Sequence, residues 1–183
     1  LNSNAQKFDF KNVTREKGLS NNFVNSIYQD DYGFMWFGTK DGLNQYDGKI
    51  IKNYYHFEGD LNSLNSSNIR DMLFTSTGQM LIANTAGVNK FNYTTEKFSQ
   101  IEEFNATNVR LLVEDSSNFI WGANTNNVLL KLDSSLNMVS NFSFVDILKS
   151  ELNVATTAIS IHKFDEDNLM LFVRNQGFYL FNL

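Results

Sequence analysis

The chain has no cysteine and no proline among its 183 residues. Without cysteine there is no disulfide framework, no thiol nucleophile and no thiolate ligand for zinc, and the absence names no compartment. Without proline the turns must come from other residues, and 26 asparagines and 10 glycines supply them. Charge is scarce as well: 15 basic and 20 acidic residues make up 19% of the chain and leave a net charge of −5. A pI near 5.0 lacks the electrostatic footprint of a nucleic-acid binder or of a segment held on an anionic membrane. No apolar run reaches the length of a membrane-spanning helix. What is abundant is apolar and aromatic: 42% hydrophobic and 17 phenylalanines, enough for the core of one domain over 1–183. The chain opens LNSNAQKFDF, with neither an initiator methionine nor a signal h-region, so a processed product or a piece of a longer gene product is expected.

A repeat organises the chain. FVNSIYQDDYGFMWFGTKDGLNQYD (23–47) aligns with SNIRDMLFTSTGQMLIANTAGVNKFN (67–92). Val24 falls on Ile69, Gly33 on Gly78, Trp36 on Leu81, Gly42 on Gly87 and Tyr46 on Phe91, each pair 45 residues apart. A third copy (107–133) places Val109 and Trp121 40 residues on, and a fourth (157–182) places Ile159, Leu171, Gly177 and Phe181 after a further 50. Within the first copy, FVNSIYQ, FMWFGT, LNQY and IIKNYYHF read as four short strands divided by DDYG, KDG and DGK turns. The segment nearest to a helix is FVDILKSELN, 144–153. Four strands in each unit of 40–50 residues is the signature of β-propeller blades, an all-β fold of four-stranded antiparallel sheets. Blades covered on both faces explain why FMWF and LMLF run apolar without alternation. A β-solenoid is the second choice, although its rungs are usually shorter.

The expected blades are 19–57, 63–104, 106–146 and 155–183. KFDFKNV (7–13) resembles the fourth strands at 97–104 and 140–146 and is expected to be an extra outer strand. A fourth strand is thus spare at the start and lacking at the end, the phase of a ring closed by its N-terminal strand.

GLSNNFVNSIYQDDYGFMWFGTKDGLNQYDG (18–48) resembles the two-component regulator propeller repeat, through Gly18, Leu19, Ser20, Trp36, Gly38, Thr39, Asp41, Gly42, Leu43, Tyr46, Asp47 and Gly48. NSLNSSNIRDML (62–73) resembles the linker and first strand of a following repeat, whereas Ala123-Asn124 and Val173-Arg174 replace Gly38-Thr39 in the later copies. The resemblance implies two seven-bladed propellers in the periplasm, then an immunoglobulin-like domain, a membrane span and a cytoplasmic histidine kinase. It also implies regulation of polysaccharide-utilisation genes by oligosaccharides released from glycans. The chain then corresponds to the first four blades of the first propeller, just after a cleaved signal peptide.

The residues that look chemical have structural readings. Asp31-x-Gly33-x-x-Trp36 is close to the Asp-box of sialidase propellers, with Gln29 in place of its leading Ser or Thr. Asp31 is expected to accept backbone N–H groups across the turn and Trp36 to sit between blades. Asp41 and Asp47 precede glycines in turns. The carboxylate clusters Asp30-Asp31, Glu102-Glu103 and 165–167 fall at strand ends, where neighbouring side chains point apart, so none makes a glycosidase pair. DEDN at 165–168 lacks the glycine and distal glutamate of a calcium loop. His56 and His162 have neither metal-ligand nor triad spacing. His162 aligns with Ile27, Met72 and Leu112, which suggests a core position. Five N-x-S/T sequons carry little weight in so Asn-rich a chain.

No catalytic residue, metal site or cofactor is therefore expected. A sugar ligand would want the mouth of the ring, where loops leading into the first strands converge. Asn25, Arg70 and Arg110 are the binding candidates there, with Arg70 and Arg110 in equivalent places of adjacent units. The expected function is a non-enzymatic sensor module that binds an oligosaccharide. A propeller glycosidase or lyase and a purely structural or protein-interaction propeller are the alternatives. The expected partners are the ligand and either the remaining blades or another copy of the chain, with no nucleic acid and no direct membrane contact. A four-blade arc would expose two apolar blade faces. Association is favoured over self-closure, in which 7–13 would pair beside 178–181.

Overall fold

The computed structural model describes residues 12–126, 128–143, 158–173 and 177–183. They form three four-stranded sheets and one three-stranded sheet, antiparallel throughout, with the strands of each sheet in chain order. Blade 1 holds β1 (Val24–Gln29), β2 (Met35–Thr39), β3 (Gly42–Tyr46) and β4 (Ile51–Tyr54). Blade 2 holds β5 (Ile69–Phe74), β6 (Met80–Asn84), β7 (Gly87–Asn92) and β8 (Lys97–Gln100). Blade 3 holds β9 (Val109–Glu114), β10 (Ile120–Asn124), β11 (Val128–Leu132) and β12 (Met138–Ser143). Blade 4 holds β13 (Ala158–Lys163), β14 (Asn168–Val173) and β15 (Gly177–Asn182). The first strands of successive blades lie side by side, β1 on β5, β5 on β9 and β9 on β13, as in a β-propeller. Of the strand expected over 7–13 only 12 and 13 are described, and neither is in a strand. The segment 144–153, read as nearest to a helix, lies outside the described residues.

The core lies between blades. Successive residues of a strand point to opposite faces, so each second strand serves two interfaces. Trp36 packs with Met80, Ile82 and Phe91 of blade 2. Leu81 packs with Val109 and Ile120 of blade 3, and Trp121 with Leu169, Leu171 and Phe181 of blade 4. Trp36 and Trp121 are buried completely or nearly so, as inter-blade positions require.

Strand pairing corrects the fourth repeat by one residue. Met170, not Leu171, stands in the place of Trp36, Leu81 and Trp121: it pairs with His162 and Leu180 as Leu81 pairs with Leu73 and Lys90. Likewise Phe172-Val173 stands where Gly38-Thr39 does, and Ala158 where Val109 does. The shift moves His162 from the inward row of Ile27, Met72 and Leu112 to that of Tyr28, Leu73 and Val113. It is accordingly exposed and not a core histidine, because its row looks toward the next blade position.

The two-sided burial argument holds for β6 and β10, every residue of which is buried. It does not hold for FMWF and LMLF, which belong to the end blades. Ile27 is 60% exposed, while Met72 and Leu112 at the same position are buried. At the far end Phe172, Phe178 and Leu180 are exposed. Each end blade therefore has one covered face and one open apolar face.

Candidate functional site

The ring mouth is built from two kinds of segment. Loops lead into the first strands, and the hairpins joining second to third strands lie against them. The Lys40 N–H donates to the Phe23 carbonyl, the Thr85 N–H to Asn68 and the Thr125 N–H to Asn108. Just inside, each first strand breaks register once: between Val24 and Ser26, between Ile69 and Asp71, and opposite Ala123 and Asn124 where β9 runs from Val109 to Leu111. A β-bulge inserts one unpaired residue and re-aims its side chain. The bulged residues are Asn25, Arg70 and Arg110. The three candidates thus occupy one structural position in three adjacent blades.

They do different things there. The Asn25 amide donates to the Ile69 carbonyl at 2.6 Å and ties blade 1 to blade 2. Arg70 and Arg110 make no such tie. The Nε atom of each is buried without a hydrogen-bond partner, and among the described residues no carboxylate lies within ion-pair distance of either guanidinium. Burial pulls the Arg70 guanidinium below its ordinary pKa, and the neighbouring Arg110 charge pulls it further. Asn68 and Asn108, two residues before each arginine, also carry a buried Oδ1 without a partner. In blade 1 the matching residue is Phe23, and the Lys40 ammonium sits 3.8 Å from its ring centre.

Asp71, beside Arg70, carries no signal in the sequence, since Ser26 and Leu111 hold its position in the flanking blades. Its carboxylate accepts the Leu112 N–H of blade 3 and the Met72 N–H, both at 2.9 Å. Burial outweighs those bonds and raises its pKa to about 6; His162 is near enough for its charge to act in the opposite direction.

The Asp-box acceptor is Asp30, not Asp31, which is exposed. Buried Asp30 accepts the N–H groups of Tyr32 and Phe34, the Trp36 indole N–H at 2.7 Å and the Tyr93 hydroxyl at 3.0 Å. Asp115 repeats this with Ser117, Phe119 and Trp121, again 2.7 Å from the indole. The signal was readable: an aspartate stands six residues before each tryptophan, where the Leu81 repeat has Thr75 and the Met170 repeat Phe164. Asp47 accepts the Lys49 and Ile50 N–H groups, which hold its carboxyl below the usual range. Glu102 and Glu103 lie in a short 3-10 helix, Glu102–Phe104, and Asp165 closes its turn on the Asp167 N–H and the Asn168 amide. No group of three metal-ligating side chains occurs among the described residues.

Two grooves lie away from the mouth, at the outer edge between blades 1 and 2. One of about 400 Å³ is lined by Phe34, Gln45, Ile50, Lys52, Tyr93 and Glu96. Its rim carries the exposed Lys52–Glu96 ion pair. The other, about 300 Å³, is lined by residues that include Tyr54, Tyr55, Phe57, Asp60 and Asn62.

Comparison with known proteins places this geometry. Residues 18–41 match the two component regulator propeller. A 64-residue stretch, 35% of the chain, is 41% identical to Histidine kinase P4 of Formosa agariphila and covers 5% of that kinase. The extracellular domain of a hybrid two-component system from B. thetaiotaomicron superposes with a TM-score of 0.80 at 23% identity, over 94% of this chain and 25% of that one. A second such domain from the same organism gives 0.69 at 18% identity, over 88% and 21%. The chain thus spans about a quarter of those structures and a small part of the kinase. The chain thus has a propeller fold, and residues 18–41 within it match the two component regulator propeller.

Proposed function

We propose that the chain forms part of the periplasmic sensor region of a hybrid two-component system, and that it binds an oligosaccharide derived from a glycan to regulate polysaccharide-utilisation genes. The match of residues 18–41 to the two component regulator propeller carries this reading. The mouth supports it, because bulged side chains from three blades share one rim and, among the described residues, the buried Nε of two of them lacks a hydrogen-bond partner. On this reading the open faces of blades 1 and 4 are covered by further blades of the same extracellular region. Binding acts by differential affinity for two signalling states, since a ligand shifts an equilibrium only by the difference in its affinity for each. A propeller can equally host an enzyme. The described carboxylates here are engaged in turns, stand exposed and apart, or, like Asp71, are held by backbone N–H groups, and no observation favours glycosidase or lyase chemistry over binding.

Calorimetry of the whole extracellular protein against a panel of defined oligosaccharides tests the proposal. Saturable binding by one member without release of product is the expected result. Release of cleaved product would move the assignment to an enzyme, and failure of every member to bind would overturn the sensor reading.

A further inference from the structure

Among the described residues no ion pair involves Arg70 or Arg110, and the buried Nε of each lacks a hydrogen-bond partner. Both are the bulged residue of an inner strand, in neighbouring blades, within the same Asn-x-Arg sequence. Like charges side by side disfavour each other, and partial burial removes the water that would soften the repulsion. A carboxylate at ion-pair distance normally relieves such an arrangement, and none is present among the described residues. The half-buried carboxylate beside Arg70, that of Asp71, is turned to the backbone of Leu112 and Met72. The chain as a whole is acidic, at −5, so this cationic spot runs against its average. Each guanidinium keeps a buried Nε–H with no acceptor. Guanidinium groups recognise planar or tetrahedral oxyanions through two parallel N–H···O bonds.

Resting on the saccharide-binding reading above, we infer that the Arg70–Arg110 pair is an anion subsite, and that the ligand is an acidic saccharide that places a carboxylate or a sulfate ester between the two guanidiniums. Asn68 and Asn108, each with a buried Oδ1 lacking a donor, supply acceptors for sugar hydroxyls at the same rim. An oxyanion there removes the Arg–Arg repulsion and fills both empty donors. A neutral saccharide would leave the repulsion unrelieved, so selectivity arises as much from rejecting neutral sugars as from binding acidic ones.

The test uses the whole extracellular protein with three probes: a glucuronate-bearing disaccharide, its carboxyl-reduced neutral counterpart, and a sulfated disaccharide. Calorimetry is expected to show at least about tenfold tighter binding of one acidic probe than of the neutral one. Arg70→Gln and Arg110→Gln should each weaken that binding about tenfold or more, while Lys49→Gln, which removes one charge from an exposed turn elsewhere, should leave it unchanged. Preference for the carboxylate or the sulfate ester identifies the anion. Equal affinity for acidic and neutral probes, or full affinity in both arginine variants, overturns the inference and leaves the sensor reading intact. A second arm needs no saccharide and no variant: inorganic sulfate is titrated while the Nε–Hε resonances of Arg70 and Arg110 are followed by NMR. Saturable shifts at both, where no saccharide probe bound in the calorimetry, would keep the anion subsite and sink the saccharide reading. Unshifted resonances together with no acidic preference would sink the subsite.

Discussion

An indole buried between two sheets brings an N–H that must find an acceptor, and Asp30 and Asp115 are placed to provide one. Each carboxylate shapes a turn with one oxygen and takes the indole with the other. The repeats with Leu81 and Met170 carry Thr75 and Phe164 instead, so aspartate appears only where tryptophan needs it. Trp36→Ala should cost about 3–5 kcal/mol through cavity formation, measured by denaturant unfolding. Asp30→Asn should cost about 2 kcal/mol, because an amide cannot receive the turn N–H groups, the indole and the Tyr93 hydroxyl together. In a Trp36→Phe background that cost should shrink by about 1 kcal/mol, and strict additivity in the double-mutant cycle would contradict the coupling.

At the scale of the element, the hairpin and the bulge decide where side chains go. Gly42 and Gly87 sit at equivalent hairpin positions with φ of 125° and 144°, as two-residue turns between apolar strands suggest. At Gly87 a Cβ would stand 2.8 Å from the Phe104 carbonyl oxygen. Gly87→Ala is therefore strained twice and should lower stability by about 2–3 kcal/mol, visible as a lower unfolding midpoint. One bulge further in, Asp71 joins β5 to β9. Its pKa of about 6 lies above the unfolded value of 3.8, so the folded state holds the proton more tightly. The stabilising contribution of that proton is complete below about pH 4 and is lost as pH rises through 6. Asp71→Asn removes the titration but leaves one of the two N–H groups without its acceptor, so it should flatten the change in melting temperature between pH 4 and 6. Melting curves across that range check this; an unchanged slope would show that Asp71 titrates normally.

For the molecule as a whole, an arc of blades is limited by its ends. Ile27 at one end and Phe172 and Phe178 at the other occupy positions that interior blades bury, and Leu180 is exposed beside them. Apolar faces of this kind are covered in soluble proteins by a neighbouring structure. The isolated chain of 183 residues should accordingly self-associate as concentration rises, with the weight-average mass from light scattering above 21.0 kDa. Phe178→Lys together with Leu180→Lys should lower that mass toward the monomer. A monodisperse monomer at all concentrations would instead indicate that the chain covers its own faces.

Repetition made the architecture legible without coordinates. The spacing of Val24, Trp36 and Gly42 against Ile69, Leu81 and Gly87 followed from turn chemistry and strand length, which are local and recur with each unit. The same locality placed Asn25, Arg70 and Arg110 at one structural position. Three things needed the fold. The register of the fourth repeat turned on pairing between strands, where one residue exchanges inside and outside, and that is why His162 moved out of the core. The choice between Asp30 and Asp31 turned on which carboxylate reached a buried indole across a turn. The divergence of Asn25 from the two arginines, the first bonded to the next blade and the others each with an Nε unpartnered among the described residues, turned on contacts between strands 40 to 45 residues apart. Periodicity says which residues share a row; only packing says what each of them meets there.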